Sequence, residues 1–589
     1  MCGICGELHF DGRVPDLTTI GKMMSVLARR GPDHDGSYSD GPIALGHRRL
    51  AIIDLSPRSD QPLVDKDLGL ALVFNGTIYN YRELRAELMQ LGYQFFSKGD
   101  SEVILKAYAA WGEDCVRHLN GMFAFAIWDM VRQELFLARD RFGIKPLYYS
   151  VNSRCLRFAS TSQALLAAGG VNTDIDPVAL QFHFTLHAVV PAPRTVLRGV
   201  RKLEPACTLT IDKVGRRKLH RYWALKAQRP DRPLSEWEWA EVLHDALREA
   251  VHRRLQIADV TVGVLLSGGL DSSLLVALLH EAGVTDLRTF SVGFEDQPEE
   301  RGSEFEYSDL IAAQFGTRHR KINIPNDEVL TRLPEAVDNM AEPMVGQDAV
   351  AFYLLAERVS REVKVVQCGQ GADEVFGGYF WYPRMDAELG ADIDRFRMHY
   401  FDRDHDEFLE MVGSGYRGPD YVHAALAARL AQPGADTFID KVLRLDVTTL
   451  IVDDPVKRVD NMTMAWGLEA RVPFLDQKLV ELAAQMPPEF KLKGEGKHPL
   501  RLIARGLVPD AVIDRPKGYF PVPALKFVRG RFLDFMRDIL DSAQCRQRGL
   551  YQREYVEQLL ADPEGRLTRI MGSKLWHLTL LELWLQRNT

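Results

Sequence analysis

The sequence predicts two domains of different class: a strand-rich α+β half, then an α/β half built on a parallel sheet. Three observations predict this. In residues 1–222, short apolar runs closed by turn residues outnumber helical stretches. The polar segment Ala227-Gln-Arg-Pro-Asp-Arg-Pro233 carries two prolines and reads as part of a linker over 223–235. In residues 236–589, buried-strand runs alternate with helical patterns, as parallel βαβ units require.

The elements follow in order. Ala71-Leu-Val-Phe74 is an apolar run ending at Asn75-Gly76, a strand and then a turn. Asn80 is placed to cap the next helix, with Glu83 as its reciprocal partner. Leu84, Leu88 and Leu91 recur at helical spacing, and Gly92 ends the element. Met122–Trp128 and Glu134–Ala138 form a buried hairpin pair. In the second half Val260–Leu266 is a strand, Ser267-Gly-Gly269 a turn, and Ser272–His280 a helix closed by Gly283. Thr289–Gly293 and Val363–Cys368 are further strands. Residues 385–440 are charged and helical in pattern, and no role follows from them.

Composition narrows the function. The chain has 589 residues, 46% hydrophobic and 26% charged, which is globular composition. A net charge of -8 points away from nucleic acid and anionic membrane as partners. No apolar run approaches the ~20 residues that span a bilayer. Glu7, His9, Asp11 and Arg13 break any signal-peptide core. Seven scattered cysteines argue against a disulfide framework and for a reducing cytoplasm.

Two places carry chemistry. Cys2 stands directly behind Met1; with the methionine removed, a thiol and a free α-amine share one residue. They titrate near ~8.5 and ~8, so the amine can serve the thiol as general base. The second is Ser267-Gly-Gly-Leu-Asp-Ser-Ser273, at a strand end and opening a helix. Its glycines let N–H groups approach a phosphate, and the helix N-terminus favours negative charge. Asp271 would repel phosphates unless a cation intervenes, which implies Mg²⁺. Asp373 and Glu374, beside another glycine-rich strand end, are the matching acidic pair.

The Ser267–Ser273 loop resembles the pyrophosphate loop of the ATP pyrophosphatases. Gly369-Gln-Gly-Ala-Asp-Glu-Val-Phe-Gly-Gly-Tyr379 resembles the second metal-binding loop of the asparagine synthetase family, and Trp466–Asp476 resembles another of its blocks. Cys2-Gly-Ile, Arg29–Asp33, His47–Leu50, Asn75–Asn80, Gly99–Val103 and Asp140–Tyr148 resemble the class II glutamine amidotransferase domain. The resemblance covers nearly the whole chain. It implies an N-terminal-nucleophile (αββα) glutaminase domain followed by an ATP pyrophosphatase (PP-loop) synthetase domain. Such an enzyme is a glutamine-dependent, AMP-forming carbon–nitrogen ligase, cytoplasmic and often a homodimer.

Roles follow from the resemblance position by position. Cys2 attacks glutamine, and Asn75 and Gly76 hold the oxyanion. Arg49 grips the α-carboxylate of glutamine and Asp100 its α-ammonium, with Thr77 beside them. Leu265 and Val292 flank adenine. Ser267, Gly268, Gly269 and Ser272 bind pyrophosphate oxygens, with Cys368 and Gly369 adjoining. Asp271 and Asp373 hold Mg²⁺. Lys517 neutralises the phosphate region, with Lys497 and Arg501 as further candidates.

Departures from the family cluster at substrate sites. Thr77 replaces the Glu of N-G-E. Cys368, Gln370 and Ala372 replace Ser, Glu and Ser of S-G-E-G-S-D-E, and a neutral Gln370 cannot act as a base. Ala341–Ala349 lacks the pattern that clamps aspartate. These departures imply that the acceptor is not free aspartate. The chain length and the Cys2-Gly-Ile-Cys-Gly-Glu7 start resemble an amidotransferase subgroup that amidates N-acetylglutaminylglutamine, a dipeptide osmoprotectant, and this resemblance implies a capped glutamine dipeptide as acceptor. The alternatives are a true asparagine synthetase and a regulated glutaminase.

Overall fold

The central strands of the first half, such as Gly121–Asp129 and Glu134–Arg139, are buried along nearly their whole length, so each sheet must be covered on both faces. The computed structural model describes residues 2–515 and 522–589. In it the first half stacks two six-stranded antiparallel sheets. One runs 201–202, 148–151, 155–159, 2–9, 43–49, 34–40 from edge to edge. The other runs 217–221, 207–212, 134–139, 121–129, 70–78, 63–65. Ile4, Leu8 and Ile43 of the first pack against Val73, Trp128 and Leu135 of the second. Helix Leu17–Val26 covers one outer face, and Tyr81–Gln90 and Asp100–Trp111 cover the other. This is the αββα arrangement expected.

The second half has a five-stranded parallel sheet in the order 318–324, 288–294, 262–265, 365–367, 469–471. The strand order reverses direction at 262–265, so a crevice opens between the carboxyl ends of 262–265 and 365–367. The Ser267 and Gly369 loops leave those two ends side by side. Five helices, Trp381–Ala387, Asp392–Tyr400, His405–Met411, Tyr421–Leu430 and Phe438–Leu445, fill the segment that the sequence left without a role.

Three local expectations need correction. Asn75-Gly76 is no turn: both residues lie inside strand Leu70–Ile78, paired with Ala124 and Phe123 of the neighbouring strand. Asn80 stands at the helix N-cap but its side chain bonds none of the helix N–H groups. It donates to the His118 carbonyl at 3.0 Å and accepts from Asn120 N–H at 2.9 Å, because that neighbouring loop has unpaired backbone to satisfy. The 223–235 segment is anchored. Trp223 Nε1 donates to Glu481 at 2.8 Å, Ala227 N–H to Gly434 at 2.8 Å, and Arg229 to Asp440 at 2.6 Å.

The two halves are joined by buried charge. Asp460, on helix Pro455–Met464, is 2% exposed. It accepts from Arg30 and Lys145 of the first half, each at 3.0 Å. Burial alone would raise its carboxyl, but the two cations outweigh burial and hold it below its ordinary value. Arg30 also donates to the Cys2 carbonyl at 3.3 Å. Thr77 donates to Glu469 across the same seam at 3.3 Å.

Asp460→Asn leaves two buried cations without their counter-charge and should cost about 3–5 kcal/mol. The folded carboxyl sits below its unfolded value, so its stabilisation is present at neutral pH and fades as pH falls through the folded value. Thermal unfolding should show a lowered midpoint at about pH 7.5, and the gap should narrow only below about pH 4. Equal midpoints at neutral pH would refute the account.

Candidate functional site

The first site forms where the leading strand meets the end of strand Leu70–Ile78. Cys2 pairs in register with Arg49. Asn75 is fully buried, and its Oδ1 accepts from the Cys2 N–H at 3.0 Å. Its Nδ2 has no hydrogen-bond partner among the described residues. A buried amide donor left unpaired beside a thiol is ready for an oxygen that develops charge there. Cys2, Arg49, Gly76, Thr77 and Asp100 line one small pocket, and all the expected glutamine-site residues meet in this place.

The electrostatics of the pocket are mixed. Burial raises the Cys2 thiol, while the N-terminal charge, the Leu50 N–H and Arg49 pull it back. Burial pushes Asp100 up to about 6, although Ile78 N–H donates to it at 3.0 Å. Arg49 is less free than expected. Its terminal nitrogens bond Asp60 at 2.5 Å, the Ser56 carbonyl at 3.0 Å and the Asp54 carbonyl. Ser59, Gln61 and Ser101 also line the pocket, and sequence reasoning missed them. Ser59 is held there by Asp54, whose carboxylate winds the 54–60 loop by accepting from Ser56, Ser59 and Lys98, and Gln61 is held by donating to Ser101 and accepting from Phe74 N–H.

The second site fills the crevice of the parallel sheet. A cavity of about 230 Å³ is lined by Leu265, Ser267, Gly269, Asp271, Ser272, Val292, Cys368 and Gly369. Gly268 is not on its wall, but it shapes the turn. It adopts φ +74°, and a Cβ there would lie 2.6 Å from Ser308 N. Within the loop Ser267 Oγ accepts from Gly269 N–H and Ser272 Oγ accepts from Ser267 N–H, each at 3.2 Å. The loop is thus wound before any phosphate arrives.

Asp271 and Asp373 converge as expected, on Lys497. Its Nζ lies 2.6 Å from one carboxylate and 2.8 Å from the other. Gly378 leaves the room this needs, since a Cβ there would fall 2.3 Å from the lysine Cε. Arg501 also lines the cavity. Lys517 lies outside the described residues. Gln370 stands on the wall between this cavity and a larger one, of about 510 Å³. Asp348 and Asp373 are shared between the two as well. Glu374 faces the larger cavity. Burial and the adjacent Asp373 push it up to about 7, and Tyr379 donates to it at 2.8 Å.

Asp100 has a folded value above its unfolded one, so its ionisation weakens the fold. That penalty is absent well below about pH 4 and complete above about pH 6, where it reaches roughly 3 kcal/mol. Asp100→Asn keeps an acceptor for Ile78 N–H. It should raise the thermal midpoint at about pH 7.5 and gain roughly half as much at about pH 5. A gain independent of pH would show that another interaction is responsible.

Comparison with known proteins agrees with this geometry. A family model described as glutamine amidotransferase domain matches residues 1–223, and one described as asparagine synthase matches 242–586. The chain is 32% identical to asparagine synthetase (glutamine-hydrolyzing) 1 of Bacillus subtilis strain 168, over 98% of this chain and 96% of that protein. It is 28% identical to asparagine synthetase B (glutamine-hydrolyzing) of Escherichia coli K12, over 88% and 82%. Amidase chry2 of Gibberella zeae is 29% identical over 89% of each chain. Among the described residues no helix is long and apolar enough to cross a membrane. An N-terminal-nucleophile glutaminase unit that precedes a parallel-sheet synthetase unit, matched along nearly its whole length, places this chain in the glutamine-hydrolysing asparagine synthetase family of ligases.

Proposed function

We propose that the protein hydrolyses glutamine at Cys2, adenylates an acceptor carboxylate with ATP, and passes ammonia to it, releasing AMP and pyrophosphate. The Cys2 thiolate attacks the side-chain amide carbon; ammonia leaves, and water then cleaves the thioester to glutamate. Asn75 Nδ2 and the Gly76 N–H receive the oxyanion. Asp100 pairs with the α-ammonium of glutamine and Thr77 lies beside it. Arg49 holds the α-carboxylate after exchanging part of its bonding to the 54–60 loop. Leu265 and Val292 seat adenine, and the Ser267–Ser272 loop, Cys368 and Gly369 face the phosphates.

Asp271 and Asp373 fit a Mg²⁺ ion, since both already converge on one cationic centre. Bound there, the metal would supply charge neutralisation for pyrophosphate as it leaves. Lys497 holds the two carboxylates together and adds its own charge; for Lys517, outside the described residues, the role of neutralising phosphate charge rests on the family resemblance alone. Assembly as a homodimer belongs to the same reading and is checked by light scattering.

The acceptor we infer is a neutral-bodied carboxylate of dipeptide size, N-acetylglutaminylglutamine. The observation that carries this is the chemistry of the larger cavity. Its volume is in the range of sites for ligands well above amino-acid size, about 300–1,000 Å³. Its two permanent cations are engaged: Arg458 by Asp348 at 2.9 Å and by Asp454, and Lys526 by Glu300 at 2.7 Å. No uncommitted lysine or arginine among the described lining residues remains to clamp a dianion such as aspartate. Gln347 and Gln370 instead offer neutral amides, which match an amide-rich body. Gln370 does not serve as a base in this reading; it orients the acceptor. Aspartate remains the second reading, supported by the 32% identity to a named asparagine synthetase.

The test is AMP and pyrophosphate release with glutamine, ATP, Mg²⁺ and one acceptor at a time: aspartate, glutamate or N-acetylglutaminylglutamine. The dipeptide should exceed aspartate at least about tenfold in kcat/KM, a difference of about 1.4 kcal/mol. Turnover of aspartate alone returns the enzyme to asparagine synthesis, and ADP in place of AMP rules out adenylation. If Asp271→Ala leaves product formation intact without ATP, the protein is a glutaminase. Separately, Asn75→Ala should lower glutaminase kcat by about 10²–10³ with little change in glutamine KM.

A further inference from the structure

A second cavity, of about 220 Å³, lies between the two halves and is used by none of the chemistry above. Arg141 and Arg221 of the first half and Arg429 and Arg444 of the second line it. Its two carboxylates are taken: Glu204 pairs with Arg221, and Asp453 accepts from Lys202 at 2.8 Å. Arg141, Arg429 and Arg444 have no carboxylate within 4.0 Å among the described residues. Arg141 donates to the Leu119 carbonyl at 2.7 Å, and Arg444 to the Gln432 and Pro433 carbonyls at 2.7 and 2.6 Å. The Arg429 side chain donates to no described residue, and its Nη1 is shielded from solvent. Burial pushes all three guanidinium groups below their ordinary value.

Three guanidinium groups without a counter-ion at one cavity are expensive to bury. The terminal nitrogens of Arg141 and Arg444 are held by backbone carbonyls, which leaves the Arg429 fork to match the paired oxygens of a phosphate or carboxylate, with the other two adding charge. Thr449 adds a hydroxyl to the same wall. We propose that this cavity binds a small dianion, phosphate-like or dicarboxylate, held by Arg429 between the two halves.

The position of the cavity gives the ligand something to act on. Asp446–Leu450 is a π-helical turn, a form concentrated at functional sites. Thr448 and Thr449 line the arginine cavity, whereas Asp446 and Leu450 line the 510 Å³ cavity. One turn is therefore the wall between an anion site and the inferred acceptor site. The binding claim stands whether or not the acceptor reading does.

Full-length protein, dialysed free of anions other than chloride, is titrated with inorganic phosphate and with succinate by calorimetry and thermal shift, against sodium chloride of matched ionic strength. At least one of the two should bind and raise the midpoint, and which one does names the chemistry. Arg429→Gln should weaken that binding by about ten- to a hundredfold, the worth of a charged hydrogen bond. Arg429→Lys should fall between. Without added anion, Arg429→Gln should be as stable as the parent or more so, because the unpaired buried charge is gone; this also shows that the variant folds. Phosphate binding at the Ser267 loop would survive the substitution unchanged, so equal binding by parent and Arg429→Gln overturns the proposal. So does absence of binding by both anions up to about 10 mM, or a loss of stability in the variant before any anion is added.

Discussion

One buried carboxylate, Asp460, sets the relation between the two halves. Two charges of the first half, Arg30 and Lys145, have no route to water and must meet a partner inside. That partner sits on a helix more than four hundred positions from Arg30. Ion pairs of this kind contribute little net stability compared with an apolar contact, but they admit one geometry only. Arg30 also holds the backbone of Cys2, so the element that sets the domain seam sets the position of the nucleophile too. The Thr77–Glu469 bond continues the seam along the floor of the glutamine pocket.

The two chemical sites are prepared in different ways. In the first half, Asn75 inside strand Leu70–Ile78 presents a side-chain amide donor with nothing to bond among the described residues. In the second, the reversal of strand order leaves a crevice where two loops must lie together. In the second half the loop hydroxyls and the acidic pair are already placed. The larger cavity has a different character. Its acids are buried close enough to raise one another, so Glu374 and Asp446 sit above the ordinary carboxylate range. A site of that kind offers hydrogen bonds rather than net charge.

Much of this was legible in the sequence where the cause is local. The Ser267–Ser273 loop reads directly, since strand, glycines and helix follow one another within a few residues. The parallel sheet reads from alternation, and the hairpin at 121–139 from two apolar runs. Asn75, Arg49 and Asp100 came only from family resemblance, because nothing local distinguishes them from a turn residue or a surface charge. Long-range pairing was illegible. Asn80 looked like a cap because its best partners, 118 and 120, lie across a loop. The 223–235 segment looked free because its anchors, Asp440 and Glu481, lie more than two hundred residues on. The same holds for Lys497 on the two aspartates and for the cluster of arginines around Arg429.

The π-helical turn at Asp446–Leu450 has a further consequence, one of phase. Each residue of a regular helix advances it by about 100° and 1.5 Å. A turn that closes its hydrogen bonds five residues apart carries one residue more than its regular counterpart. Remove that residue and the turn relaxes to α-geometry, while everything beyond it rotates relative to everything before. Asp460 lies ten residues further on and would leave Arg30 and Lys145. On this geometry the extra residue is the spacer that keeps the two halves in register.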